Sequence, residues 1–578
     1  MKRIINIKWC IGAALFLGLT VCMLGCSDEK LDVAPKGTLN PEVLNNLEGL
    51  EALLLATYGA LDGFTGSITQ EGWENDHNNW LYAEIISDNA LKGSSVGDQV
   101  DMNLLEQGEM TPDGSYMNDL WASIYEGVAR ANTVLQVLAI TEDLSDADRS
   151  RIEAEARFLR AHFYHYGRRY WNRIPWIDEN VQDFRVPNDR DIFPNIETDY
   201  QFAVDNLPLE PPVVGKAHRS AAQASLAKLY MDENDFAAAK PLLDAIINSG
   251  RYILFPNYND NFVTDFEQFI TGTEFIFQIQ ALPVEGEHIG RIVIGIAQLG
   301  PEFCCGFYQP SQNLVNAYKT DANGLPLLDT FNDVDLPNDQ GIESNESFTP
   351  PTNNLDPRLD WTVARRGIPF IDWEIGILPD GPGGDKRLFP GKAFVIDQNT
   401  YGPYRLKKFQ ITSAQEESGA FFRGHSPINS SVHRYADILL LRAEVAVEEN
   451  DLATALNLVN QVRDRAKNGE VVRFADGSPA ANYVIEPYPG FPDQEFARKA
   501  VRFERRLELA LEGFRWYDLV RWGIAQDTML EYFRTEDRPL LTAFGTFTSD
   551  YLPIPSSQID LTRDDNGNPT LTQNTGYQ

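Results

Sequence analysis

Apolar residues in this chain recur mostly at helical spacing. Between His433 and Ala466, Ile438, Leu441 and Val445 step by three and four residues, with Ala443 and Ala446 beside them. After the polar break Glu448-Glu449-Asn450-Asp451 the pattern resumes at Leu452, Ala455, Leu456, Val459 and Val462. Such a stripe predicts two amphipathic helices joined by a short turn, the small residues allowing close contact. An echo lies 216 positions upstream: Glu233-Asn234-Asp235 matches Glu449-Asn450-Asp451, and Ala227, Tyr230, Ala239, Leu243 and Ile246 align with Ala443, Ala446, Ala455, Val459 and Val462. Further helices are predicted over about 41–58, 116–140, 146–170, 220–231, 236–249, 313–318 and 493–512, with 432–449 and 451–467 forming the first pair. Asn40 is the expected N-cap of the first helix and Pro41 its first residue. Glu274 to Gln280 alternates as a strand does.

Helix pairs with small and apolar residues at these relative places are similar to the tetratricopeptide repeat of roughly 34 residues. Between about 282 and 430 the chain is dense in Gly, Pro, Asn and Asp, and from Tyr551 it reads as coil with turns at Pro553, Pro555 and Asn566-Gly567. Long loops of that kind are functional or disordered, and the aromatics Phe303, Phe307, Tyr308, Trp361, Phe370 and Trp373 argue for order. The expected fold is mainly α: a tetratricopeptide-like helix-pair superhelix with a large loop-rich region and a few short strands. Residues 41–578 are expected to form one domain.

The N-terminus is read as an address. Lys2, Arg3 and Lys8 precede the apolar run Trp9–Val21, and Met23-Leu24-Gly25-Cys26 follows. Residues 1–25 have the form of a secretory signal, too short and wrongly flanked for a permanent membrane span. The last four of these residues resemble the bacterial lipobox, which would make Cys26 the lipidated first residue of the mature chain. Ser27-Asp28-Glu29 resembles the acidic export tag of Bacteroidetes surface lipoproteins. Residues 26–40 then form a lipidated, extended tether, broken by Pro35 and Gly37. With Cys10 and Cys22 in the signal and Cys26 lipidated, only Cys304 and Cys305 remain, a count that excludes a disulfide scaffold and leaves the adjacent pair to read as small buried residues. The formal charge of −35 over 578 residues repels nucleic acid and anionic lipid head groups.

Several segments carry a family resemblance: Leu120-Trp121 through Ile124-Tyr125 to Arg130-Ala131-Asn132; Ala154 to Ala161 with Tyr164; Arg434 to Leu440; Glu504 to Ala510 with Glu512-Gly513 and Arg515 to Trp522; Leu552-Pro553-Ile554-Pro555; and Gln573 to Tyr577. In this order, behind a lipobox, they resemble the SusD/RagB family over nearly the whole mature chain. The resemblance implies a surface lipoprotein of the outer membrane, built on tetratricopeptide-like helix pairs and seated as a lid on a SusC-like TonB-dependent transporter. Its partners would be that transporter, the membrane through its lipid, and an oligosaccharide or, in some branches, a peptide. No chemistry and no cofactor are implied. The motif arginines, beside aromatics and carboxylates, read as buried forks at helix contacts.

Sugars offer an apolar C–H face and a rim of hydroxyls, so aromatic rings beside amides and acids are the candidate ligands' partners. Trp73, Asp76, His77, Asn78 and Trp80 form one such group, Tyr308 with Phe307 a second, and Trp373 between Asp372 and Glu374 a third. Core packing is the competing role for each ring. Gly93-Ser94-Ser95-Val96-Gly97 matches a nucleophile elbow in letters, without an evident strand before it or helix after it. His162 and His165 lack the intervening glutamate of a zinc helix, and Asp333, Asp335 and Asp339 lack the spacing of a calcium loop. A protein-binding helical scaffold and a secreted hydrolase remain the other functional classes.

Overall fold

The computed structural model describes residues 44–63, 75, 79–211, 213–262, 274–280, 306–372, 391–410, 412, 428–536 and 549–577. In chain order the elements are α1 (Leu47–Gly59), a π-helical turn (Trp80–Ile85), β1 (Ala90–Gly93), α2 (Val100–Glu106), α3 (Ser115–Ile140), α4 (Asp146–Trp171), α5 (Phe193–Asn206), α6 (Arg219–Asp232) and α7 (Phe236–Asn248). There follow β2 (Phe275–Ile279), β3 (Phe307–Pro310), α8 (Gln312–Ala317), β4 (Val363–Ala364), β5 (Arg405–Leu406) and β6 (Ser430–Arg434). The chain closes with α9 (Tyr435–Glu448), α10 (Leu452–Asn468), α11 (Gln494–Leu509), α12 (Arg515–Arg521), α13 (Ala525–Thr535) and α14 (Ser556–Leu561).

Neighbouring helices pack in succession: α3 on α4, α4 on α5, α5 on α6, α6 on α7, α7 on α9, and α9 on both α10 and α11. This is the expected helix-pair architecture. The strands form three separate antiparallel pairs, β1 with β3, β2 with β6 and β4 with β5.

The sequence echo is an echo in structure. α6 and α9 begin and end 216 positions apart, and α7 and α10 begin at the same offset. The turn explains why. Asn234 and Asn450 both adopt left-handed backbone, with φ of 57° and 60°, a conformation asparagine tolerates better than most residues. The next residue caps the second helix: Asp235 accepts from the Ala238 amide at 3.0 Å, and Asp451 from Thr454 at 3.1 Å.

Several boundaries differ from expectation. Asn40 and Pro41 lie outside the described residues, and α1 is capped by Asn46, whose side chain accepts from the Gly49 amide at 2.9 Å. Val432, His433 and Arg434 extend as β6 rather than opening a helix, with Arg434 opposite Phe275 of β2. Helix α14 stands where coil was expected, entered from Pro555 in extended backbone. Its neighbourhood explains the terminal motifs. The Trp171 indole donates to the Pro553 carbonyl at 3.0 Å, and Asn574 Nδ2 donates to the Trp171 and Leu552 carbonyls at 3.0 and 2.7 Å. The C-terminus is thereby sewn to the end of α4.

The C-terminal half of α11 is buried although it is charged. Glu504 bridges Arg358 at 2.7 Å and Arg463 at 2.8 Å, while Glu508 meets Arg434 at 2.6 Å, Arg358 at 3.0 Å, and Arg465. Arg434 also reaches Glu512 at 2.7 Å and Glu274 at 3.0 Å, and Lys408 meets Glu512 at 2.8 Å. On the other side Arg505 joins Asp437 of α9 and Asp518 of α12, and Arg521 joins Glu444. Arg160 of α4 holds Asp199 at 2.7 Å and Asn132 at 2.9 Å. These motif arginines are structural forks.

The same network reaches residues 84–89. Arg506 donates to Asn89 Oδ1 at 2.9 Å and to Asn313 Oδ1 at 2.7 Å, and Arg515 Nε meets Asp88 at 2.7 Å. Burial alone would raise the Asp88 pKa, but Arg506 and Arg515 outweigh it and hold it down at about 2. Glu84 accepts from the amides of Gly513 at 2.8 Å, Phe514 at 3.1 Å and Leu511 at 3.3 Å. Left-handed Leu511 and Gly513 (φ 63° and 84°) curl those amides toward one carboxylate, an anion-binding concavity of backbone donors.

Two outcomes follow for stability. Asn450→Val should lose about 1–2 kcal/mol through left-handed strain, and Asn450→Gly should stay within about 0.5 kcal/mol of the parent, both read by urea unfolding. Glu84→Gln puts an amide donor where backbone donors converge and should cost about 1–3 kcal/mol in the same assay.

Candidate functional site

The best-defined candidate site lies where the π-helical turn meets the β1–β3 pair. Glu84, anchored as above, fixes the turn that begins with Trp80, so the ring's position is set by contacts to residues 511–514. The Trp80 ring lies 5.5 Å from that of Tyr308 at an interplanar angle of 46°, and 6.4 Å from Phe307. The structure thus brings together Trp80 and Tyr308, two aromatics singled out from separate stretches of sequence. Both are buried, at 1% and 2% exposure, and in this conformation neither presents a face to solvent. Trp73, Asp76, His77, Asn78 and Trp373 lie outside the described residues, as do Cys26, Cys304 and Cys305.

The strand pair needs its glycine. Gly93 has φ 78°, and a Cβ there would come within 2.4 Å of the Gly306 carbonyl oxygen, which instead accepts from the Ser94 amide at 2.8 Å. The register runs Ala90 to Pro310, Leu91 to Gln309 and Gly93 to Phe307, which sets Lys92 opposite Tyr308. Lys92 is wholly buried. Its ammonium donates to the Ser95 carbonyl at 2.8 Å and to that of Asp98, and lies 5.7 Å and 5.3 Å from the centroids of Phe307 and Tyr401. Burial drives its pKa down to about 8, opposed by Glu106 and Asp98. Tyr401 in turn donates to Asn103 of α2 at 2.8 Å, and Gln309 donates to the Tyr404 carbonyl at 2.9 Å. Three loops are thereby gathered around β3. On the outer edge Val96, Val100 and Ile396 are exposed at 41%, 57% and 60%, and Gly306 closely approaches Ile396.

Phe307 and Tyr308 were legible in sequence as aromatics in a loop-rich stretch. Lys92 and Tyr401 were not, because a single lysine and a single tyrosine carry no periodicity. The glycines of Gly93-Ser94-Ser95-Val96-Gly97 mark a real turn. A buried strand does precede it, contrary to the reading from sequence, but a helix starts only at Val100. Ser94 Oγ is spent on Asp98 at 2.8 Å, and the Ser95 carbonyl serves Lys92. His165 is bonded to Asp232 at 2.8 Å, with burial pushing its pKa down to about 4. Asp335 accepts from Asn316 at 2.8 Å, and Asp339 faces Arg366 at 3.6 Å. Among the described residues no three His, Cys, Asp or Glu side chains converge as metal ligands do.

The comparisons with known proteins agree with one another. A family model described as SusD family matches residues 273–577, and one described as starch-binding associating with outer membrane matches residues 52–231. SusD-like protein P25 of Formosa agariphila is 26% identical over 80% of this chain and 80% of its own. The starch-binding protein SusD of Bacteroides thetaiotaomicron is 22% identical over 76% of this chain and 75% of its own. Among solved structures, a SusD-like carbohydrate binding protein of Bacteroides fragilis superposes with a TM-score of 0.67 at 23% identity, covering 92% of this chain and 99% of that one. Surface glycan-binding protein A of Bacteroides thetaiotaomicron, solved with laminarihexaose, gives a TM-score of 0.64 at 21% identity over 91% and 99%. With the SusD family match spanning more than half of its length, this chain belongs to the SusD family.

Proposed function

We propose that the protein captures a neutral oligosaccharide at the cell surface, without chemical change, and passes it to a SusC-like TonB-dependent outer-membrane transporter. The observation that carries this reading is the meeting of Trp80 from the π-helical turn and Tyr308 from β3, in a chain whose relatives are named for starch and glycan binding. Trp73, Asp76, Asn78 and Trp373 join Trp80 and Tyr308 as the proposed ligand contacts, the rings covering the C–H faces and the polar groups meeting hydroxyls. The body is held to the outer membrane by acyl chains on Cys26, each buried methylene contributing about 0.8 kcal/mol. A formal charge of −35 favours neutral over anionic glycans.

Calorimetry of residues 27–578 against laminarihexaose, maltohexaose, anionic glycans and peptides tests this. Binding to a neutral glycan, unaccompanied by product and weakened about tenfold or more by Trp73→Ala or Trp373→Ala, is expected; tenfold corresponds to about 1.4 kcal/mol. Binding of peptides alone would replace the glycan by a peptide ligand.

A further inference from the structure

Tyr308 is held in a conformation that two separate features disfavour. Its φ is 60°, left-handed backbone that a bulky residue rarely adopts and that clusters at ligand clamps and switches. Its hydroxyl is buried and has no hydrogen-bond partner among the described residues. Burial, with Glu84 and Glu512 nearby, pushes the phenol pKa well above its ordinary value, so the group stays a protonated donor with no acceptor among the described residues. A buried donor left unpaired is costly. The partner ring is also set on unusual backbone. Trp80 opens a π-helical turn directly after left-handed Asn79, with φ 52°, and such turns occur frequently at functional sites. Tyr308 stands opposite Lys92 in the β1–β3 register, between the pairs Leu91–Gln309 and Gly93–Phe307, so the short four-residue pair is the element that yields when Tyr308 turns. Gly306, with φ 70°, is a permissive pivot two residues earlier.

We propose that the Trp80–Tyr308 contact is the closed form of a cryptic subsite, in which Tyr308 swings out and a single pyranose ring takes its place against Trp80. This rests on the glycan-binding reading and adds to it a conformational step at one named residue. In the open form Tyr308 leaves left-handed backbone, the β1–β3 pair yielding locally, and its hydroxyl donates to water or to a sugar hydroxyl. A ligand that binds only this form shifts the population toward it. Closure in the absence of sugar keeps two aromatic faces out of water.

The test is fluorine NMR of the mature chain labelled with 5-fluorotryptophan, the Trp80 resonance being assigned by its loss in Trp80→Phe. Without sugar, the Trp80 line should show microsecond-to-millisecond exchange with a minor state. Tyr308→Phe removes only the unpaired hydroxyl and should lower the minor population by about tenfold. Laminarihexaose or maltohexaose, whichever binds in calorimetry, should move the Trp80 line to the minor-state position. A single sharp Trp80 line, unchanged by Tyr308→Phe and by bound glycan, overturns the cryptic subsite even where calorimetry shows glycan binding. Exchange at Trp80 in a chain that binds no glycan overturns the ligand assigned here together with the glycan-binding reading.

Discussion

Glu508 is the point at which the buried charges of this protein meet. A lone carboxylate there would be strongly destabilising, yet Arg465, Arg434 and Arg358 surround it, and although burial opposes ionisation their charges hold its pKa far below the ordinary carboxylate range. Each of those arginines comes from a different part of the chain: the end of α10, the end of β6, and the turn before the Leu359–Thr362 helical segment. Placing so many ions in a low-dielectric interior adds little net stability compared with an apolar core, but removing one partner leaves the rest uncompensated. The constraint is therefore one of geometry. Once the ions are buried, the segments carrying them have one mutually acceptable arrangement.

The candidate site inherits its shape from that constraint. Residues 504–515 hold α9 and α12 through Arg505, hold the Asp88–Asn89 segment and α8 through Arg506, and hold the π-helical turn through the amides that receive Glu84. Trp80 and Tyr308 are each a few residues from these anchors. Their rings meet because the backbones beneath them are fixed from below, while Lys92 organises the loop above. Rigid anchors beneath the two rings confine movement to Tyr308 and its immediate neighbours.

The helical body was readable because its signal is local and repeated. Apolar spacing located α3, α4, α6, α7, α10 and α11 to within a residue or two at most ends, and the Asn-Asp turn announces itself in both helix pairs. Helices α2, α5, α12, α13 and α14 passed unnoticed. Helix α2 is short, and α12 carries Arg515, Asp518 and Arg521, which reach Asp88, Arg505 and Glu444 elsewhere in the chain. Val432 to Arg434, the end of β6, was read as helix because Arg434 is placed by Glu274, Glu508 and Glu512, none of them neighbours in sequence. The site was partly readable for the same reason. Aromatic chemistry shows in composition, whereas the left-handed turn at Tyr308 and the burial of Lys92 depend on distant contacts.

Arg434 is the residue on which this arrangement can be tested most directly, since among the described residues it alone contacts all three of Glu274, Glu508 and Glu512. Urea unfolding of Arg434→Met, followed by circular dichroism, should show a loss of about 3–5 kcal/mol, the cost of leaving buried carboxylates without their counter-charge. A variant within about 1 kcal/mol of the parent would show that the buried ions do not hold the segments together.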